Sequence, residues 1–400
     1  MITTFYPPYN FGGDGIFVQQ LSNELAGRGH QVDVIHCVDS YQLVSGDREP
    51  KSYELHPGIR IHGLKSKLGL LSPLLTHQTG FPFLKSKKLQ KILKQDFDVI
   101  HYHNVSLVGG PKLLGLGRGI KLFTMHEYWL TCPNSLLYKY DNTVCTKKQC
   151  VACQLVHKHP PQWWRYSRLM QNECAHIDTF IAPSRYLQTH HRKAGITQPI
   201  LHLPNFVPAS GPGPGAEQQS VGDTDEKGCF LFVGRLERLK GAHTLIDPFK
   251  RYREATLLLA GDGTQEEDLR HAVRDLDNIR FLGRQNHLQL QSLYRGAVAV
   301  IVPSLWVENH PLVILEAFRA KTPIIARNIG ALKEIVEESK GGILYDTEDQ
   351  LVAAITRLRE DPALREELGE NGYATYLQKF TTDVHVEQYL DLINRLKKRP

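Results

Sequence analysis

No stretch of this sequence stays apolar for the ~18 residues that a membrane-spanning helix needs, so no transmembrane segment is expected. The start, "MITTFYPPYN", lacks a charged region followed by an apolar one. No secretory signal is expected there, and cytoplasmic residence is the default. No simple repeat is visible. Basic motifs interleaved with aromatics are missing, and a pI of about 8.8 is modest, which argues against a nucleic-acid binder. Cysteine is scarce and odd in number, seven in all, with four of them inside residues 132–153. In a cytosolic chain that clustering points to metal ligands or reduced thiols more than to a disulfide framework.

What is present is a chain of 400 residues, too long for one ordinary core, so two domains of about 200 residues are expected. Hydrophobic residues make up 41% and charged residues 22%, the balance of a soluble globular protein. The net charge of +6 is unevenly spread. Residues 1–204 hold 23 Lys and Arg against 13 Asp and Glu, a formal +10; the remainder holds 25 against 29, or −4. A basic first half suits an acidic partner or an anionic membrane, and a solvated lysine surface would read the same.

Along the chain, "MITTFY" reads as a short buried strand, "PPYNFGGDG" as a turn-rich loop, and Phe17, Val18, Leu21 and Leu25 recur at helical spacing before "VDVIHCV". That order is a βαβ unit. "DVIHYH", "IKLFTMH" and "TFIAPS" follow as apolar runs without alternation, the pattern of parallel strands buried on both faces. Residues 205–228 are rich in Gly, Pro and polar residues and read as a linker. The strand pattern then restarts with "CFLFVGR", "ATLLLAGDG", "NIRFLG", "VAVIVPS", "TPIIA" and "GGILY". The expected fold is α/β: a first doubly wound domain over 1–204, a second over 229–380, and an amphipathic helix over 381–400 that packs back on the first. Ligands bind beyond the carboxyl ends of such strands, so the two sets of ends would flank a cleft.

Three segments carry chemistry. In "WVENHPLVILEAFRA", residues 306–320, Glu308 and Glu316 stand eight positions apart across a helix start. Pro311 suits the first turn, Asn309 or His310 would cap it, and the amides of 310–313 would face a phosphate or sugar hydroxyls. Glu316, about 7.5 Å further along, can lean back and accept two vicinal hydroxyls, as a ribose offers. In "FVGRLERLKG", residues 232–241, a buried strand ends at Gly234, where a side chain would block a ligand. Arg235 and Lys240 then supply a fork and a point charge for a diphosphate. "AGDG", residues 260–263, is a third strand-end turn.

Together "FVGRLERLKG", "AGDG", "FLG", "VPS" and "ENHPLVILEAFRAKTPIIA", with "FYPPYNFGGDG", "APS" and "LPN" earlier, resemble the family 4 glycosyltransferases, retaining enzymes of the GT-B fold. The resemblance implies transfer of a hexose from a UDP- or GDP-sugar to a hydroxyl of a sugar, lipid-linked or other acceptor in glycan or glycolipid synthesis. It implies that Glu316 binds the ribose, Glu308 the donor sugar or its diphosphate, and Arg235 and Lys240 the leaving diphosphate. Gly263 and Arg284 fall among the donor-binding positions, as do the amides near His310, Pro311 and Leu312. Gly12 and Gly13 would allow close approach of donor phosphate and acceptor, and His126 in "TMHEYW" would line the reaction centre. Front-face attack assisted by the departing phosphate needs neither a carboxylate nucleophile nor a catalytic metal. Asn309 and Ala331 stand where many members have Gly, which bears on the sugar preference.

Cys132, Cys145, Cys150 and Cys153 form a C-x4-C-x2-C run with a fourth thiol upstream. A structural Zn²⁺, with His157 and His159 as substitute ligands, fits this set; an iron–sulfur cluster or plain reduced thiols fit it too. Trp163 and Trp164 would line an acceptor pocket or serve as packing. In residues 81–94, Leu89, Ile92 and Leu93 alternate with five lysines, as in an interfacial helix or a helix covering the sheet. A nucleotide-sugar epimerase shares the two-domain pattern and the paired acids. A hydrolase could use the acids, but would not need Arg235 and Lys240.

Overall fold

The computed structural model describes residues 1–10, 12–45, 56–209 and 228–398. Of the expected linker, 210–227 lie outside the described residues. The chain divides into two compact units: Met1–Tyr140 with Cys145–Asn205 and His385–Pro400, and Asp141–Val144 with Phe206–Val384.

The first unit holds strands β1 (Val32–Cys37), β2 (Ile59–Leu64), β3 (Val99–Tyr102), β4 (Ile120–Thr124), β5 (Thr179–Ala182) and β6 (Ile200–His202). β1 pairs β2, and β3, β4, β5 and β6 follow one another, all parallel. The chain start joins the two groups: Ile2 bridges Ile35 on β1 and Tyr102 on β3. The strand expected from "MITTFY" is therefore reduced to a one-residue bridge. Helix α1 (Gly12–Gly27) buries Phe17, Val18, Leu21 and Leu25 at the expected spacing. After β2 come α2 (Leu71–Thr79), a 3₁₀ turn and α3 (Ser86–Leu93). On α3 the apolar side faces inward, with Leu89, Ile92 and Leu93 no more than 6% exposed, so of the two readings of residues 81–94 these three side chains follow the helix covering the sheet, while Phe81, Phe83 and Leu84 before it stay exposed. Lys85 is buried as well, its Nζ donating to the Leu107 carbonyl at 2.7 Å. Helix α4 (Cys150–Val156) lies within the cysteine segment.

The second unit is one six-stranded parallel sheet of β7 (Phe230–Val233), β8 (Leu257–Ala260), β9 (Ile279–Gly283), β10 (Ala299–Val302), β11 (Ile324–Arg327) and β12 (Gly342–Tyr345), in the order β9-β8-β7-β10-β11-β12. Its central strands are covered on both faces. Phe230, Phe232, Leu257 and Leu259 enter one core cluster, while Leu231, Leu258, Val300 and Val302 enter another with Ile314, Leu315 and Phe318. This two-sided burial is why the strands read as unbroken apolar runs. Helices α5 (His287–Gly296) and α6 (Leu312–Arg319) flank β10 in sequence. The last helix, α7 (Thr382–Lys397), returns from His385 onward to the first unit. There His385 Nδ1 lies 2.7 Å from the Pro204 carbonyl, and the Tyr389 hydroxyl 3.0 Å from His101 Nδ1.

Candidate functional site

In the second unit the loops beyond β7, β8 and β10 converge. Gly234 follows β7, and its carbonyl would stand 1.9 Å from any Cβ on Gly261. Gly261 holds φ +144, so both geometry and space require glycine there. Gly263 is equally confined, against the Leu236 backbone. These glycines lock the strand-end loops together. Arg235 is exposed and has no side-chain partner among the described residues. Lys240, in a 3₁₀ turn (Arg238–Lys240), donates to Glu308 Oε1 at 2.6 Å, and Ser304 Oγ donates to the same oxygen at 2.7 Å. The lysine side chain is 25% exposed and the glutamate 7%. Trp306 carries the ammonium 5.7 Å over its ring. Arg284 pairs with Asp262 of "AGDG" at 2.8 Å on the surface.

Helix α6 starts at Leu312 with Pro311 at its cap, in extended backbone and with no side-chain cap bond. The expectation that Asn309 or His310 caps it is corrected. Proline supplies no N–H, and its fixed φ delivers the chain into the helix without a capping side chain. The Leu312 and Val313 amides are left without intrahelical partners. Glu308, Asn309 and His310 are each only 6% exposed, and the His310 ring meets Phe380 edge-on at 5.3 Å. Glu316 has separate company: the Tyr294 hydroxyl on α5 donates to its Oε2 at 2.7 Å. Burial raises the Glu316 pKa from its ordinary value, and burial followed by the Glu316 charge raises Tyr294 well above its own. Both line a cavity of about 380 Å³ with Arg295 and Arg319. A carboxyl beside a phenol there offers both acceptor and donor to a pair of hydroxyls. Ala331 is fully buried in the core, next to Gly330 at φ +53.

In the first unit His126 follows β4, and its Nε2 lies 3.0 Å from His103 Nδ1. Phe17 of α1 sits edge-on to the His126 ring at 5.1 Å and to His385 at 5.4 Å. The His101 and His103 rings are 4.0 Å apart. Burial drives all four imidazoles to the neutral form: His126 down to about 3, His385 to about 4, and His101 and His103 well below 6.5. Gly12 opens α1 at φ +74 and is exposed, a Cβ there meeting only the Asp14 carboxylate at 3.8 Å, and Gly13 is exposed too, so a ligand can approach this backbone. The sequence reading passed over Glu127. Burial, then the Asp14 charge, push its carboxyl up to about 8, against the opposing pull of Ser135 and Arg165. Its signal was an acid among aromatics, directly after His126 at the end of a buried strand.

All seven cysteines are free thiols. Burial, then Cys132, Cys150 and Cys153, raise the Cys145 pKa, so the four share one neighbourhood. Among the described residues, however, no group of three or more His, Cys, Asp or Glu is placed to hold a metal. His159 turns to Asn134 at 3.2 Å, and its ring centroid lies 6.4 Å from that of His157. Trp164 packs: its Nε1 donates to the His77 carbonyl at 2.9 Å. Trp163 is 65% exposed.

The sequence pattern of "Glycosyltransferase Family 4" matches residues 11–210, and that of "Glycosyl transferases group 1" matches 216–375. An uncharacterized glycosyltransferase of Methanocaldococcus jannaschii is 26% identical over 96% of this chain and 94% of its own. Sucrose-phosphate synthase from Thermosynechococcus elongatus superposes with a TM-score of 0.74 at 22% identity, covering 99% of this chain and 98% of that one. The HepE protein of Anabaena, solved in complex with UDP, gives a TM-score of 0.65 at 18% identity, covering 98% and 99%.

Proposed function

Since the chain belongs to glycosyltransferase family 4 and has the GT-B fold of two Rossmann-like domains, we propose that it moves a sugar from a nucleotide diphosphate donor to a hydroxyl acceptor with retention at the anomeric carbon. The UDP held by the Anabaena protein supports a uridine donor as the first to test. The observation that carries the reading is the Lys240–Glu308–Ser304 constellation, with Arg235, which has no side-chain partner among the described residues, five positions before Lys240 on the loop after β7. Glu308 orients Lys240 at the mouth of the strand-end loops. As the bond to the diphosphate breaks, negative charge grows on the leaving oxygen; Lys240, Arg235 and the free amides of Leu312 and Val313 stabilise it. Glu316 and Tyr294 hold the ribose hydroxyls. In the first unit His126, kept neutral, serves as a hydrogen-bonding group toward the sugar, and Gly12 and Gly13 leave room for it. No step runs through a metal.

The test is product analysis with UDP- and GDP-sugars and a panel of glycan and lipid-linked acceptors. Free nucleotide together with a glycoside of unchanged anomeric configuration is the expected outcome. A new nucleotide-sugar without a glycoside would mean an epimerase, and inversion would overturn the front-face mechanism. Glu316→Ala should lower turnover on the order of 10²-fold or more, because the carboxyl that receives the ribose hydroxyls and fixes the donor's position is lost.

A further inference from the structure

Helix α2 is built inside out. Ser72, Pro73 and Thr76 are buried, while Leu71, Leu74 and Leu75 are exposed. The polarity stays inverted around it. Leu68 and Leu70 precede the helix and Phe81, Phe83 and Leu84 follow it, all exposed, with Phe83 at 55%. Residues 155–166 adjoin this segment through two hydrogen bonds: Trp164 Nε1 to the His77 carbonyl at 2.9 Å, and Gln78 Nε2 to the Pro160 carbonyl at 3.3 Å. They expose Leu155, Val156, Trp163 and Tyr166. Among the described residues fifteen large apolar side chains are exposed, and twelve of them fall in these two stretches. Scattered exposed leucines need no explanation, but a concentration of this kind marks an interaction surface.

Charge identifies the partner. Residues 56–95 carry eight Lys and Arg, all but the buried Lys85 available to the surface, and no acid, and residues 142–172 carry five and no acid. A second copy of this face would set cations against cations, which disfavours self-association. Leucine and phenylalanine between lysines, with an exposed tryptophan and tyrosine beside them, match the layers of a bilayer surface: acyl boundary, aromatic belt and anionic headgroups. No helix among the described residues is long and apolar enough to cross a membrane, so contact is at the surface. Residues 65–84 follow the carboxyl end of β2, and His126 follows the same end of the parallel strand β4. We propose that α2, with its flanking turns and the Trp163–Tyr166 turn, seats the first unit on an anionic lipid bilayer. The inference does not depend on the donor reading.

The probes are sedimenting vesicles of phosphatidylglycerol with phosphatidylcholine, and vesicles of phosphatidylcholine alone. The intact protein should pellet with the anionic vesicles at low salt, lose affinity roughly tenfold or more as salt rises, and ignore the neutral ones. Trp163 emission should shift to the blue on binding. Leu71→Ser, Leu74→Ser and Phe83→Ser combined should abolish pelleting with no change in circular dichroism or thermal midpoint. The same substitutions should leave product formation from a soluble acceptor intact. Failure of the intact protein to pellet at low salt would overturn the inference. So would triple-variant binding equal to the intact protein's and displaced by a soluble polyanion, which would make the face a polyanion site. A concentration-dependent dimer removed by these substitutions would overturn it too.

Discussion

Lys240 and Glu308 show how one ion pair can be read two ways. As a structural contact, the pair satisfies a nearly buried carboxylate; as a donor clamp, it stores an ammonium for a phosphate. The two are separable. Lys240→Ala strips Glu308 Oε1 of its cation and leaves only the Ser304 hydroxyl, which should cost about 1–3 kcal/mol of stability. Adding Glu308→Gln removes the buried charge and should return most of that loss. If Lys240 binds the diphosphate, the double variant regains its denaturation midpoint while transfer stays down at least about a hundredfold. Recovery of transfer along with stability would assign Lys240 a purely structural role. Chemical denaturation and initial-rate assays on the two single variants and the double variant decide it.

At the scale of elements, the strands of the second sheet were legible because each is covered on both faces, so their apolar runs have no polar alternation to dilute them. Ile59–Leu64 and Ile200–His202 were not read as strands. The first is half exposed at the sheet edge with a mixed burial pattern, and the second is three residues long. Helix α2 hid for the opposite reason: its leucines suggest a core face, yet the buried side is Ser72, Pro73 and Thr76. The motif residues were legible as types; which of them touch was not, since Tyr294 on α5 reaches Glu316 only through packing of two helices. The glycines divide in the same way. Gly261 meets backbone on its one open side, and its φ is unsuited to a side chain. Gly261→Ala should therefore cost about 2–5 kcal/mol and disturb the donor loops. Gly12→Ala has only its φ to contend with, about 1–2 kcal/mol. Equal denaturation midpoints for the two variants would contradict this division into packed and open glycines.

For the molecule as a whole, charge and protonation concentrate in the same unit. Residues 1–204 carry a formal +10, and the first unit also holds His101, His103, His126 and His385, all neutral when folded. Their folded pKa values lie below the unfolded value of about 6.5. Below that pH the unfolded chain binds protons that the folded imidazoles refuse, so the histidines' contribution is full above about pH 6.5 and falls with pH until the folded values near 3–4 are reached, while Glu127, held near 8, works in the opposite direction. For a histidine as buried as His385, at 3% exposure, the slope is about 1.4 kcal/mol per pH unit. Each added proton also enters a region already in positive excess, so self-repulsion works in the same direction. The second half, at −4, loses negative charge on acidification and is spared that repulsion. Hydrogen exchange at pH 5, compared with pH 7.5 after correction for intrinsic rates, should therefore show β3 and β4 losing protection before β7 and β10. His385→Asn keeps a donor toward the Pro204 carbonyl without an imidazole to protonate, and should flatten the acid limb of the thermal midpoint. Uniform loss of protection across both sheets, with an unchanged acid limb in His385→Asn, would show that the buried imidazoles do not set the acid sensitivity.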